Sequence, residues 1–214
     1  MSHLVFEALG ARPEPYAAVP TLVFRLGITE TTGEQVHAVA LKTQIQIEPR
    51  RRHYAPPEEE RLLELFDRPH RWGETLKTLV WTQVSLTVAG FTARTVVDLP
   101  VACTYDFEVA AAKYFHALDE GEIPLLLLFS GTVFVRGETG FSVEPVPWDK
   151  ELAFRLPVRT WREVMDSYFP GSAWLRLRRE SFDALHRFKG RHALTTWDDA
   201  VDALLKQAGE EAPA

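Results

Sequence analysis

The chain has 214 residues, 46% of them apolar and 25% charged, which suits one domain with a tail or one large β-rich domain. Its net charge of -6 argues against a general nucleic-acid binder, because phosphate binding needs a positive surface. A single cysteine excludes an internal disulfide, and the most apolar run, 123–129, is too short to span a bilayer. The N-terminus lacks the pattern of a signal peptide, so we expect a cytoplasmic protein without membrane insertion.

The first third of the chain predicts an extended arm followed by two strands. Residues 1–20 contain three prolines, which favour an extended N-terminal arm. Residues 21–30 place one row of apolar side chains on one face, and residues 36–48 alternate between apolar and polar side chains: Leu22, Phe24, Leu26 and Ile28, then Val39, Leu41, Thr43, Ile45 and Ile47. The turn signal TTGEQ between them predicts a β-hairpin.

The middle of the chain mixes helices and strands. The stretch PEEERLLELFD after Pro49 is typical of a short helix, because glutamates suit the positive N-terminal end of a helix. Residues 76–91 predict a strand with a bulge near Thr82, and residues 93–103 predict another strand.

Residues 107–118 carry a helical stripe of apolar side chains, spaced three and four residues apart: Phe107, Ala110, Ala111, Tyr114, Phe115 and Leu118. We therefore expect a helix there. The alternative that the pattern leaves open is a strand, in a hairpin turning at 119–122. Residues 123–136 then predict a strand with a first half buried on both faces, followed by strands near 141–148 and 151–158.

The last third is helical in pattern. The sequence thus predicts an α+β fold, an antiparallel β-sandwich or curved sheet with a C-terminal helical section. We expect the extended arm at 1–20, a β-rich core domain with inserted helices at 21–158, a helical section packed on the core at 159–208, and a tail at 209–214.

Catalytic motifs are missing from the sequence. The seven histidines do not show the spacing of a helical metal motif, and there is neither a phosphate-binding glycine loop nor a serine nucleophile elbow. We therefore expect no metal, no cofactor and no catalytic residue. Cys103 is the candidate nucleophile, although a free cysteine is more often a small buried hydrophobic residue.

Two kinds of side chain are candidates for partner binding. The basic cluster Arg50, Arg51, Arg52 and His53 could bind an acidic partner. The simpler interpretation is that Arg50–Arg52 pair with Glu58–Glu60 across the loop. Trp72 and Trp148 lie in predicted loops, where a large ring either packs on the core or anchors an interface.

Four phrases of the sequence resemble an uncharacterised bacterial family of unknown function: FRLGITETTGEQVHAVALKTQIQIEPRRR, RLLELFDRPHRWGETLKTLVWT, VDLPVACTYDFEVAAAKYFHAL and PLLLLFSGTVF. That family is associated with the gene neighbourhoods of uptake nickel–iron hydrogenases, which implies an accessory or assembly role. A weaker likeness is to the export chaperone SecB, in which strands also precede a helix, a glycine, a proline and an apolar strand. Here these are 107–118, Gly121, Pro124 and 125–129.

From the residues and the resemblance together, we expect a non-enzymatic, cytoplasmic accessory protein. Its partner would be a protein, such as a hydrogenase subunit or a maturation factor, and not nucleic acid. The alternatives are a SecB-like holdase and an enzyme that uses Cys103 or a carboxylate.

Overall fold

The protein is described by a computed structural model over residues 3–104, 106, 109–137, 140–172 and 175–210. These residues contain strands β1 (Leu4–Pro13), β2 (Thr21–Glu30), β3 (Gln35–Ile47), β4 (Leu79–Thr92), β5 (Arg94–Ala102), β6 (Glu122–Gly137), β7 (Gly140–Pro145) and β8 (Glu151–Pro157). All of the strand pairs are antiparallel.

The strands form two sheets that face each other. One sheet has the order β1-β2-β5, and the other has the order β4-β3-β6, with β7 and β8 both pairing with the far side of β6. Phe6 of β1 stacks on Phe129 of β6 with ring centroids 4.0 Å apart, so the core lies between the sheets. The predicted α+β fold is confirmed, and of the two predicted arrangements the sandwich is the one formed.

The hairpin predicted between 21–30 and 36–48 is wrong. β2 pairs with β1 and β5, whereas β3 pairs with β4 and β6 in the opposite sheet. The buried carboxylate of Glu30 explains the crossing. It accepts hydrogen bonds from the backbone N–H groups of Thr32, Gly33 and Glu34 at 2.7–3.0 Å, and these fold the connecting loop away from a hairpin.

Other strand predictions are confirmed. Leu22, Phe24, Leu26 and Ile28 of β2 are fully buried in the core. The β3–β4 register shifts between Ile45 and Gln46, opposite Thr82, which places the predicted bulge. The predicted N-terminal arm contains β1, an edge strand that pairs with β2 along its length.

Short helices cover one end of the sandwich: α1 (Pro56–Arg61), α2 (Leu63–Phe66), α3 (Trp72–Thr75) and α4 (Ala110–Ala117), with single 3-10 turns at Pro49–Arg51 and Pro69–Arg71. α4 confirms the helix predicted within 107–118, and its Tyr114 and Phe115 are buried. Residues 107 and 108 of that prediction lie outside the described residues. α5 (Val158–Tyr168) contacts the sheets, and Trp161 packs against Phe115 at 5.6 Å between ring centroids.

The chain divides into two compact units, Met1–Ala173 and Trp174–Ala214. The first unit holds both sheets and α1–α5. The second holds α6 (Arg179–Arg191) and α7 (Trp197–Ala208), and the Thr196 side chain caps α7 by accepting a hydrogen bond from the Asp199 N–H. Among the described helices, none is both long and apolar enough to cross a membrane.

Candidate functional site

The structure brings some of the predicted partner-binding residues together and separates others. Arg50, Arg52 and Trp72 lie in the helical end of the sandwich, and Arg51 and His53 lie nearby; Arg50, Arg51 and His53 are exposed. Trp148 lies elsewhere, in the β7–β8 loop. The N–H of Glu48, next to the basic cluster, donates to the carbonyl of Pro124 in β6, and the N–H of Phe129 in β6 donates to the carbonyl of Lys150, next to Trp148. The five-residue step from Pro124 to Phe129 separates the two regions by about 17 Å along β6.

Arg50 holds a neighbouring loop. Its guanidinium donates to the carbonyl oxygens of Gly73 at 2.6 Å and Leu76 at 2.7 Å. Both acceptors belong to the segment that leads into β4. Arg50 therefore fixes how this segment enters the second sheet.

Arg52 forms a buried ion pair with Glu58. The two side chains are 9% and 4% exposed, and the nearest nitrogen and oxygen are 2.5 Å apart. Arg52 also donates to the carbonyls of Glu120 and Glu122, and Glu58 accepts from the N–H groups of Ala55 and Asp119. The simpler interpretation of the basic cluster, pairing with Glu58–Glu60, is thus confirmed for Arg52.

Arg51 differs from its two neighbours. It pairs with Glu48 at 3.2 Å, and its side chain is 57% exposed. Since His53 is exposed as well, these two residues remain accessible to a partner, and their predicted role stays a prediction.

A tyrosine pair lies under the basic cluster. The hydroxyls of Tyr54 and Tyr114 are 2.8 Å apart, and Tyr54 donates to the carbonyl of Pro49. Burial raises the pKa of Tyr114 to about 12 and raises that of Tyr54 further, so both stay protonated at neutral pH. Trp72 packs edge-on against Tyr54 and donates its indole N–H to the carbonyl of Asp67.

Cys103 is poorly placed for nucleophilic chemistry. Its side chain is buried, and burial raises the pKa of the thiol to about 12. Over the part of the chain that the structure describes, no group of three or more His, Cys, Asp or Glu side chains could hold a metal ion.

The strongest candidate surface is the outer edge of the five-stranded sheet, at β7. Phe141 is 60% and Val143 62% exposed, and both point to the same face of the strand. β7 pairs with β6 on one side, and no described strand pairs with its other side. An edge strand that carries large exposed apolar residues is a template for a further strand.

The β8 half of the same edge is built differently. β8 pairs with the first half of β6, and its exposed side chains are Glu151, Ala153 and Arg155. Charges on an edge strand oppose pairing with another chain. The β8 half of this edge thus carries two exposed charged residues, whereas β7 carries one charged residue, Glu144.

Trp148 is a third exposed apolar side chain, a few residues after β7 in the chain. It is 94% exposed and lies in the loop between β7 and β8. The loop is held at both ends, because Val146 donates to the carbonyl of Gly131 and Phe129 donates to that of Lys150, each at 2.9 Å. We call Phe141, Val143 and Trp148 the β7 edge surface.

Two side chains lie close to Phe141. The His37 ring lies 4.3 Å from the ring of Phe141, and Arg136 is opposite Phe141 in the β6–β7 register. Of these residues, the sequence pointed only to Trp148. The signal that could have found the others is the alternation in FSVEP, which places two large apolar residues on one face without a charge between them.

The comparisons with known proteins identify a family without a known activity. A family model described as "Family of unknown function (DUF6084)" matches residues 1–213. No curated protein is similar enough to the chain to count as a match.

Similar solved structures include a β-glucosidase from Kluyveromyces marxianus, with 5% identity and a TM-score of 0.27 over 72% of this chain. The chain spans only 15% of that enzyme's length. A putative late embryogenesis abundant (LEA) protein has 11% identity and a TM-score of 0.33, with 73% of this chain and 72% of that protein covered. A putative ApaA protein from Bordetella pertussis has 14% identity and a TM-score of 0.25, with 73% and 95% covered. None of these scores carries an argument about function.

Proposed function

Since the chain belongs to the DUF6084 family, a family of unknown function, we propose a role from its own surface: a non-enzymatic accessory or assembly protein that binds a protein partner through the β7 edge surface. The observation that supports this proposal is the pair of large, exposed apolar side chains on β7, Phe141 and Val143, on an edge with which no other described strand pairs, followed by the exposed Trp148 in the next loop. Such residues are the usual anchors of protein interfaces.

The mode of binding follows from the backbone. The free edge of β7 offers N–H and C=O groups to an extended segment, which would add a strand to the sheet. Phe141 and Val143 would then lie beside the side chains of the added strand, and Trp148 would cover one end of it. The partner is therefore a protein with an extended apolar segment.

We propose a hydrogenase subunit or maturation factor as this partner, and the cytoplasm, where a single thiol stays reduced, as the compartment. The resemblance in the four sequence phrases is the support for the hydrogenase system. The burial of Cys103 supports a non-enzymatic role, because it keeps the best candidate nucleophile protonated.

The experiment is a pulldown with the tagged full chain, co-expressed with the hydrogenase subunits and maturation factors. The variants are Trp148→Ser and Val143→Ser, and the matched control is Tyr16→Ser. Tyr16 is 94% exposed like Trp148. Tyr16 follows the C-terminal end of β1, and the ten residues of β1 place that end about 33 Å from the start of the strand.

We expect the wild type and the Tyr16 variant to retain a hydrogenase protein and the two β7 edge variants to lose it. If the wild type retains none under mild lysis, the hydrogenase role is wrong. If the edge variants bind as well as the control, the β7 edge surface is not the binding site.

A SecB-like holdase is the second candidate, because exposed apolar side chains are also what a holdase offers to unfolded clients. The two functions differ in selectivity. A holdase suppresses the aggregation of unrelated denatured proteins, whereas an assembly protein does not. Light scattering of a denatured client protein, with and without the chain, separates them.

A further inference from the structure

The second unit has an apolar groove at the start of α6. The residues just before the helix and the first turns of α6 form its walls, and its volume is about 490 Å³. The lining side chains are Leu175, Leu177, Arg179, Phe182 and Asp183. Leu175 is 74%, Leu177 40% and Phe182 44% exposed. Three large apolar side chains are thus open to solvent beside two charged ones.

Contacts with α7 hold one wall of this groove in place. The Phe182 ring lies 5.2 Å from the Trp197 ring of α7 between centroids, and the His186 ring lies 6.0 Å from it. The Lys189 ammonium lies 5.6 Å from the centroid of the same indole ring. These three residues of α6 therefore pack on α7, and the groove opens beside that contact.

The arginines of the second unit lack carboxylate partners. There are five of them, all exposed: Arg176, Arg178, Arg179, Arg187 and Arg191. None of their guanidinium groups forms an ion pair or a hydrogen bond with any residue that the structure describes. In the first unit, by contrast, eight arginines form ion pairs with carboxylates. The charge of the five arginines is therefore free to pair with another molecule.

Positive charge is concentrated in this segment of the chain. Residues 175–191 contain six basic and two acidic residues, a net charge of +4, so that the rest of the chain carries -10 of the total of -6. The two acidic residues are Glu180 and Asp183, and Asp183 is four residues from both Arg179 and Arg187 on the same side of α6. A positive segment beside an apolar groove favours an anionic partner that also carries apolar side chains.

The charge of the rest of the chain indicates which anionic partner fits. A membrane or a nucleic acid is an extended anionic surface, which the -10 charge of the other residues would repel. A helix that lies in a membrane surface also needs a free apolar side, whereas Phe182 and His186 already pack on Trp197. A short peptide segment contacts only the groove and the arginines beside it.

We propose that this groove binds an acidic segment of a partner protein. An apolar side chain of the segment lies in the groove against the two leucines, and carboxylates beside it accept hydrogen bonds from Arg176, Arg178 and Arg179. Asp183 is the lining group that opposes this binding. The site lies within the second unit and is independent of the β7 edge surface.

The test is fluorescence anisotropy with the full chain and a labelled synthetic peptide in which glutamate and leucine alternate. We expect micromolar binding that weakens at least about threefold when salt is raised from roughly 50 to roughly 300 mM, because salt screens exposed charges. Two control peptides separate the contributions of charge and apolar contact. A peptide with glutamine for each glutamate and one with serine for each leucine should both bind at least about tenfold more weakly.

Variants of the chain locate the site. Arg176→Gln and Arg179→Gln should each weaken binding at least about threefold. The matched control is Arg159→Gln, which should leave binding unchanged. Arg159 is also an exposed arginine in the first turn of a helix, α5, and has no ion pair among the described residues. Asp183→Asn should tighten binding by about twofold, because it removes the carboxylate that lines the groove, and damage to the fold would not have this effect.

If the wild type does not bind the alternating peptide, or binds the glutamine peptide equally well, the proposal is wrong. If Arg159→Gln weakens binding as much as Arg179→Gln, or if Asp183→Asn does not tighten it, the groove is not the binding site. Cosedimentation with vesicles that contain phosphatidylglycerol tests the membrane alternative. Binding to these vesicles without binding to the peptide would assign the basic segment to a lipid surface and overturn the proposal.

Discussion

The buried pair of Arg52 and Glu58 makes the sharpest prediction on stability. Replacing Arg52 by methionine removes the charge and three hydrogen bonds and leaves the Glu58 carboxylate buried with two backbone donors. Breaking a buried pair on one side costs about 3–5 kcal/mol. In a protein of this size, that lowers the melting temperature by roughly 10 °C.

The structure also predicts the effect of replacing Glu58, the other residue of the pair. Glu58→Leu should cost a similar amount, because it leaves the Arg52 guanidinium buried beside two carbonyls, with an Nε–H that already lacks an acceptor among the described residues. The double variant Arg52→Met with Glu58→Leu should cost less than the sum of the single changes, because it leaves no uncompensated charge.

The assay is urea unfolding followed by circular dichroism, with Arg51→Met as the matched control. Arg51 is in the same turn, and its exposed pair with Glu48 contributes less than about 1 kcal/mol. If Arg52→Met costs no more than Arg51→Met, or if the single costs simply add, the buried pair does not stabilise the fold as argued. Charge reversal of Arg50–Arg52 as a block would also unfold this region, so only Arg51 and His53 can be tested cleanly for partner binding.

Three other outcomes follow from single residues of the first unit. Burial alone would raise the pKa of Glu30, but hydrogen bonds from Thr32 and neighbouring N–H groups outweigh it and lower the pKa to about 2. The Glu30 carboxylate therefore stabilises the folded state fully above the ordinary carboxyl pKa, and this stabilisation is lost as pH falls towards 2. In Glu30→Gln, the free energy of unfolding should fall less steeply with decreasing pH than in the wild type, as an acid titration of unfolding measures. Gly131→Ala should destabilise by about 2–4 kcal/mol in thermal unfolding, because φ is +137° and the added Cβ would lie 2.0 Å from the Ala40 carbonyl oxygen; an unchanged melting temperature would contradict it. Cys103 should not react with iodoacetamide at neutral pH until the chain unfolds, which mass spectrometry can follow. Rapid labelling of Cys103 in the folded protein would show that the thiol is a possible nucleophile after all.

Local patterns in the sequence predicted the elements well, and pairing between distant elements less well. The stripe of Ala111, Tyr114 and Phe115 predicted α4 because a helix repeats every 3.6 residues, whatever it packs on. The β2–β3 hairpin failed because both strands have the right local pattern, and the deciding contacts of the Glu30 carboxylate are invisible to a pattern of apolar residues.

In the candidate sites, too, the sequence identified single residues but not their contacts with distant parts of the chain. The sequence identified the arginines of the basic cluster, but the acceptors of Arg50 are carbonyls of Gly73 and Leu76, more than twenty residues away. It identified Trp148 as a loop residue. Its position in the loop that joins β7 to β8 depends on how these two strands share β6, which only the tertiary structure shows.

The crossing of the chain between sheets also governs the order of events during synthesis. β2 borders β5, with Thr21 opposite Ala102 and Thr29 opposite Arg94, so the three-stranded sheet is incomplete until β5 has left the ribosome. β3 likewise waits for β6, whose Leu125 and Val135 lie opposite Ile47 and Val36. A nascent chain that ends before residue 94 therefore exposes one edge of β2 and one edge of β3 to other chains. The same long-range pairing makes refolding of the complete protein slow relative to that of a helical bundle.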